Sequence, residues 1–161
     1  MKSIDHFLNE LNKYIELYDK TDSSISESSI GWHIEHSLKV INQIISVLEK
    51  SKPDEYKWRF NFWRTVVLTS GKIPRGRGKA PKTVLPNGII SRAILIQSLN
   101  NANLNLVKLD NLDQNAFFLH PYFGLLNLKT TRSFLSIHTN HHLKIIKDIA
   151  NHSLSISKTQ N

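Results

Sequence analysis

SFLSIHTNHHLKIIKDIA, residues 133–150, is the stretch whose reading decides the fold. On a wheel of about 100° per residue, Phe134, Leu135, Ile145, Ile146 and Ile149 share one arc of roughly 120°. His138 and His142 fall inside that arc and His141 lies at its edge. Arg132, Ser136, Asn140, Lys144 and Lys147 take the opposite side, with Leu143 the one exception. The spacing predicts a helix from Leu128 to about residue 152 that turns two imidazoles, one turn apart, toward the core. Residues 153–161 then form a frayed tail.

Outward from that helix the same period recurs. Ile4, Phe7, Leu8, Leu11, Tyr14, Ile15 and Tyr18 predict a helix over residues 2–20. Ile34, Leu38, Ile41, Ile45 and Leu48 form a heptad-like seam in a second helix over 29–50, which Pro53 stops. A third helical stretch runs from Glu55 to about Ser70. Its aromatics, Tyr56, Trp58, Phe60, Phe62 and Trp63, recur at helical spacing and read as core. Residues 89–107, with Ile90, Ile94, Leu95, Leu99, Leu104 and Leu106, are helical again. GKIPRGRGKAPKTVLPNG (71–88) is a long loop by its glycines and prolines, and FFLHPYFG (117–124) a second irregular stretch. Strand signals are scarce. The 161 residues thus read as one all-α domain, a bundle of four to five amphipathic helices with two long connections.

Composition narrows the function. With no cysteine, the chain offers no disulfide, cysteine–zinc site, iron–sulfur cluster or cysteine nucleophile. It opens without the apolar core of a signal peptide and has no run of roughly 20 apolar residues, so a cytoplasmic, non-membrane protein is expected. The net charge of +8 is uneven. Between Tyr56 and Leu109 stand ten Lys and Arg and no acid, against eleven basic and thirteen acidic residues elsewhere. A basic middle on a near-neutral frame favours local anion binding over a general nucleic-acid coat. No GxxxxGK[ST] phosphate loop and no HExxH is present.

Five of the eight histidines sit in WHIEH (32–36) and HTNHH (138–142). On the second helix His33 and His36 share the margin of a wide apolar arc with Val40, Ile44 and Val47, and Glu35 turns onto the polar side. Buried imidazoles need partners, and an i, i+4 pair reaches one ion. A third histidine from a facing helix completes a three-nitrogen set, with His33 and His36 both available.

SIGWHIEHSLKVI and IHTNHHLKIIKDI together resemble the DinB-like (YfiT-like) superfamily of four-helix bundles, which pairs one histidine on the second helix with an HxxxH on the last. HPYFG and PRGRGKAPKTVLP are similar to a branch of that superfamily without an assigned activity. The resemblance implies a divalent metal, zinc or nickel, on His36, His138 and His142, with His141 outside the ligand set. It also implies metal-activated attack by a low-molecular-weight thiol such as bacillithiol or mycothiol, or by water, in a transferase or hydrolase. A chain without cysteine fits a thiol supplied by a co-substrate. Arg75, Arg77 and Lys79 would hold an anionic group of that small molecule, and His120 would stand at the pocket mouth or anchor its loop. Competing readings are a non-catalytic metal site and a nucleic-acid module using Trp58 or Trp63 beside Arg59 and Arg64, which the core reading of these aromatics disfavours. A homodimer is compatible with a bundle of this type.

Overall fold

The computed structural model describes residues 3–76, 84–86 and 88–159, with side chains on the last helix described through Ser153. The protein is mostly helical: five α-helices and one small β-hairpin among the described residues.

Helix α1 (Ile4–Asn12) starts where Ser3 accepts a hydrogen bond from the His6 N–H, and it buries Ile4, Phe7, Leu8 and Leu11. It stops well short of residue 20. A single 3-10 turn over Ile15–Leu17 replaces the rest, and the chain bends back so that the Ile30 and Gly31 amides donate to the Lys20 and Tyr18 carbonyls. Gly31 is required at that crossing, since a Cβ there would lie 2.8 Å from the Tyr18 carbonyl oxygen.

Helix α2 (Ile30–Lys50) is capped by Ser29, which accepts from the Trp32 N–H. Helix α3 (Phe62–Ser70) begins later than the aromatic spacing predicts. Asn61 caps it by accepting from the Arg64 N–H, and Gly71 ends it at φ 64°. The buried Arg64 guanidinium donates to the Leu125 and Arg59 carbonyls, which straps the preceding extended segment against the hairpin. Arg64 and Val67 of α3 are buried, and Leu68 packs partly against the core. Trp58, Phe60, Phe62 and Trp63 are therefore 60–68% exposed, which overturns their reading as core.

Helix α4 (Arg92–Leu109) buries Leu95, Leu99, Ala102, Leu106 and Leu109, leaving Ile94 and Leu104 exposed. The segment read as irregular is a hairpin: β1 (Phe117–His120) pairs antiparallel with β2 (Gly124–Asn127), in the register Phe117↔Asn127 to His120↔Gly124. Gly124 closes the turn at φ 67°. Helix α5 (Leu128–Thr159) outruns its expected end near residue 152. No glycine or proline interrupts its 32 residues.

Helix α2 packs on α4 and α5, α1 packs on the same two helices, and the hairpin and α3 lean on α5. Helix α5 is thus enclosed from several sides. Leu143 and Ser136 are both buried, Ser136 contrary to its place on the polar side of the wheel. No helix among the described residues is long and apolar enough to cross a membrane.

Candidate metal centre

Where α2 faces α5, the wall of the core is built from imidazole instead of aliphatic groups. His33 and His36 come from the first turns of α2, and His138 and His142 from the middle of α5. His33, His36 and His142 are at most 8% exposed, and His138 is partly buried. The ring centroids of His36, His138 and His142 form a triangle with sides of 5.1, 4.8 and 4.6 Å. One ring nitrogen from each lies within 4.8 Å of the others, so the three form a cluster that could hold a metal ion. Zinc–nitrogen bonds of about 2.0–2.1 Å place tetrahedral ligand nitrogens roughly 3.4 Å apart. The 4.8 Å limit exceeds that spacing by about 1.4 Å, so binding an ion would draw the rings together.

One hydrogen bond decides which nitrogen of His36 is free. His36 Nδ1 lies 2.9 Å from the Val84 carbonyl oxygen, which can only accept, so Nδ1 carries the proton and Nε2 keeps its lone pair. His142 Nδ1 lies 3.0 Å from His33 Nδ1, and His33 Nε2 lies 3.0 Å from Ser26 Oγ. His33 is therefore engaged on both nitrogens and stands behind His142, outside the three-nitrogen cluster. Among the described residues His138 Nδ1 has no hydrogen-bond partner, and it is closed off from solvent. Leaving such an atom unpaired costs about 1–3 kcal/mol, and ligation would remove that cost. The indole of Trp32 stacks on His36 at 5.1 Å and walls one side of the cluster.

The electrostatics suit ligation. Burial, the largest cause, pushes His138 and His142 well below the usual histidine range, helped by repulsion from neighbouring imidazoles. Burial also lowers His36, against the opposing pull of the Val84 carbonyl, and takes His33 down to about 4. The set is neutral at pH 7, the state in which imidazole binds metal. Three converging neutral imidazole donors suit a divalent transition-metal ion.

The remaining expected residues lie around this cluster in different ways. Arg75 pairs with Asp148 on α5 at 2.7 Å, and its charge adds to the lowering of His33 and His141. Arg77 and Lys79 fall outside the described residues. His120 Nδ1 accepts from the Tyr122 and Phe123 amides, and its ring stacks on Phe123 at 4.2 Å. It anchors the hairpin turn, separated from His138 by the Phe134 ring. His141 sits beside the cluster, partly buried, and bonds the Ile73 backbone. Glu35 is not on a solvated side: it is buried against α4, accepting from Ser98 Oγ at 3.2 Å with Lys39 at 3.9 Å. That contact turns it away from the histidines.

Sequence reasoning missed the part played by His33 and Ser26. The seven-residue step between them crosses a loop and a helix start, and no periodicity connects such positions. Compared with models of known families, with curated proteins and with solved structures, the chain matches none.

Proposed function

We propose that His36, His138 and His142 hold one divalent metal ion, zinc or nickel, and that the protein is a DinB-like metal-dependent transferase or hydrolase acting with a low-molecular-weight thiol or with water. The observation that carries the reading is the convergence of three neutral imidazoles within 4.8 Å, one of them with an orphaned buried nitrogen. The positions are those marked by the DinB-like resemblance, with α1, α2, α4 and α5 as the four helices of the bundle.

When bound, the ion supplies Lewis acidity at the coordination positions that three protein ligands leave open, enough to bring a water or thiol toward its anionic form near neutral pH. The chain does the rest. His36 and His142 present Nε2, each held by a bond on Nδ1, and the Trp32 indole excludes water from one side. Arg75 offers a guanidinium to a carboxylate or phosphate of the small molecule, in competition with Asp148.

The test is zinc titration of the metal-free protein followed by thiol-conjugation assays. Binding of one ion per chain, lost in the His36, His138 and His142 triple alanine variant, supports the reading. A triple variant that keeps full zinc uptake refutes it.

A second reading is favoured by a separate observation. Trp58, Phe60, Phe62 and Trp63 are exposed beside the exposed Lys57 and Arg59, an arrangement suited to stacking on single-stranded nucleic acid. Binding to a labelled oligonucleotide that weakens steeply with salt supports it, and salt-independent or absent binding rejects it.

A further inference from the structure

We propose that His33 is a positioning residue for the metal centre: it accepts the Nδ1 proton of His142 and so fixes the Nε2 lone pair of His142 on the side of His36 and His138. The inference rests on the reading that these three histidines hold a metal ion, and it assigns a distinct task to a fourth.

The two Nδ1 atoms are 3.0 Å apart and both side chains are buried, so one nitrogen donates and the other accepts. Metal ligation through His142 Nε2 requires its proton on Nδ1, which makes His33 Nδ1 the acceptor. His33 must then carry its own proton on Nε2, and Ser26 Oγ stands 3.0 Å from that atom to receive it. Ser26 is itself held in place. Its hydroxyl oxygen accepts from the Ser28 amide at 3.2 Å, and its own amide donates to the Asp22 carbonyl at 2.8 Å. With His142 ligating through Nε2, the relay Ser26–His33–His142 has one consistent set of protons; the reverse set, in which Ser26 donates to His33, would put the His142 proton on Nε2 and block ligation there. The relay ends at a surface cavity of about 430 Å³ lined by Ser26, Asp22 and His152.

His36 reaches the same condition by another route, through the Val84 carbonyl. Two of the three ligand rings are thus fixed from behind in the Nδ1–H form, whereas His138 Nδ1, unpartnered among the described residues, is the atom that ligation would satisfy. Outer partners of this kind orient ligand rings, and their loss lowers metal affinity about 10–100-fold. His33 lies outside the cluster of converging nitrogens, which separates it from the ligands despite its place one turn before His36.

The experiment has two arms. Long-range proton–nitrogen NMR on the metal-free protein reads the tautomer of His142 directly. The Nδ1–H form is expected in the wild type, shifting to Nε2–H in His33→Leu. Zinc and cobalt titrations then compare the wild type with His33→Leu, His33→Asn and Ser26→Ala. His33→Leu is expected to bind 10–100-fold more weakly with one ion per chain and an unchanged cobalt coordination number. His33→Asn, whose amide oxygen can accept from His142, recovers most of the loss. Ser26→Ala, which leaves the histidine in place, shows a smaller weakening and serves if His33→Leu does not fold. An Nε2–H His142 in the wild type overturns the proposal. So does undiminished zinc affinity in His33→Leu, and so does a cobalt spectrum that loses a ligand, which would make His33 a ligand itself. If the wild type takes up no zinc, the metal reading fails, and the tautomer arm alone decides whether His33 orients His142.

Discussion

The wedge between α2 and α5 and the segment from Tyr56 to Val66 divide polar and apolar side chains in opposite ways. In the wedge, His33, His36 and His142 are buried, as are the aliphatic residues Ile34, Leu135 and Ile145 of the same two helices. In the segment, two tryptophans and two phenylalanines stand in solvent while Arg64 is buried. Hydropathy alone would exchange the two. Backbone geometry produces the difference: α5 is enclosed by α1, α2, α3 and the hairpin, so most of its residues are covered, whereas α3 has nine residues and one inward stripe. A polar group enclosed by neighbours must be satisfied. Trp58 and Phe60 precede α3 and Phe62 and Trp63 lie off its inward stripe, so their rings stay largely in solvent, with Trp58 under Arg64 and Phe62 against Trp63.

The contrast can be broken or sharpened by substitution. Leu135→Ala, at a fully buried site on α5, is expected to cost about 2–5 kcal/mol in denaturant unfolding. A cost under 1 kcal/mol would show that α5 is not enclosed. Zinc at a free concentration 100 times its Kd should stabilise the folded state by about 2.7 kcal/mol, read as a rise in Tm that a chelator reverses. No shift would mean that the histidine wedge is complete without an ion.

Acid should act on the metal-free wedge with a definite sign. Burial disfavours the charged forms of His33 and His120 and pushes both down to about 4, from an ordinary histidine value of 6.5. The unfolded chain thus binds protons first as pH falls below 6.5. Stability is greatest above that pH and declines down to about 4, with the slope measured by urea unfolding across the window. Protonation of His120 also removes the acceptor for the Tyr122 and Phe123 amides. A flat profile between pH 7 and 4 would contradict the burial of these rings. The smallest effect is expected outside: Phe60→Ala should change stability by no more than about 0.5 kcal/mol. A larger loss would mean that the aromatic segment packs on something.

Much of this was legible in the residues, and the misses have physical causes. The wheel turns His138 and His142 inward because Phe134, Ile145 and Ile149 surround them, and both lie at the α2–α5 contact. It does not separate His33 from His36. Helix α2 is covered from both the α4 and the α5 side, so both histidines are buried, and only hydrogen bonds distinguish them. The resemblance to DinB-like sequences favours His36, and the structure groups that residue with the α5 pair. The hairpin was not legible because FFLH and GLLN are four residues each, too short to carry a period of two. The aromatic segment misled because its spacing continues a helix that the Asn61 cap prevents from starting before Phe62.

The central claim is that three imidazoles from α2 and α5 bind one ion together. Anomalous diffraction at the zinc edge, on crystals grown with one equivalent of zinc, tests it most directly. A single strong peak about 2.0–2.2 Å from one nitrogen each of His36, His138 and His142 is the expected result. A peak on His33 or His141 in place of these residues, or no peak within the wedge, would contradict it.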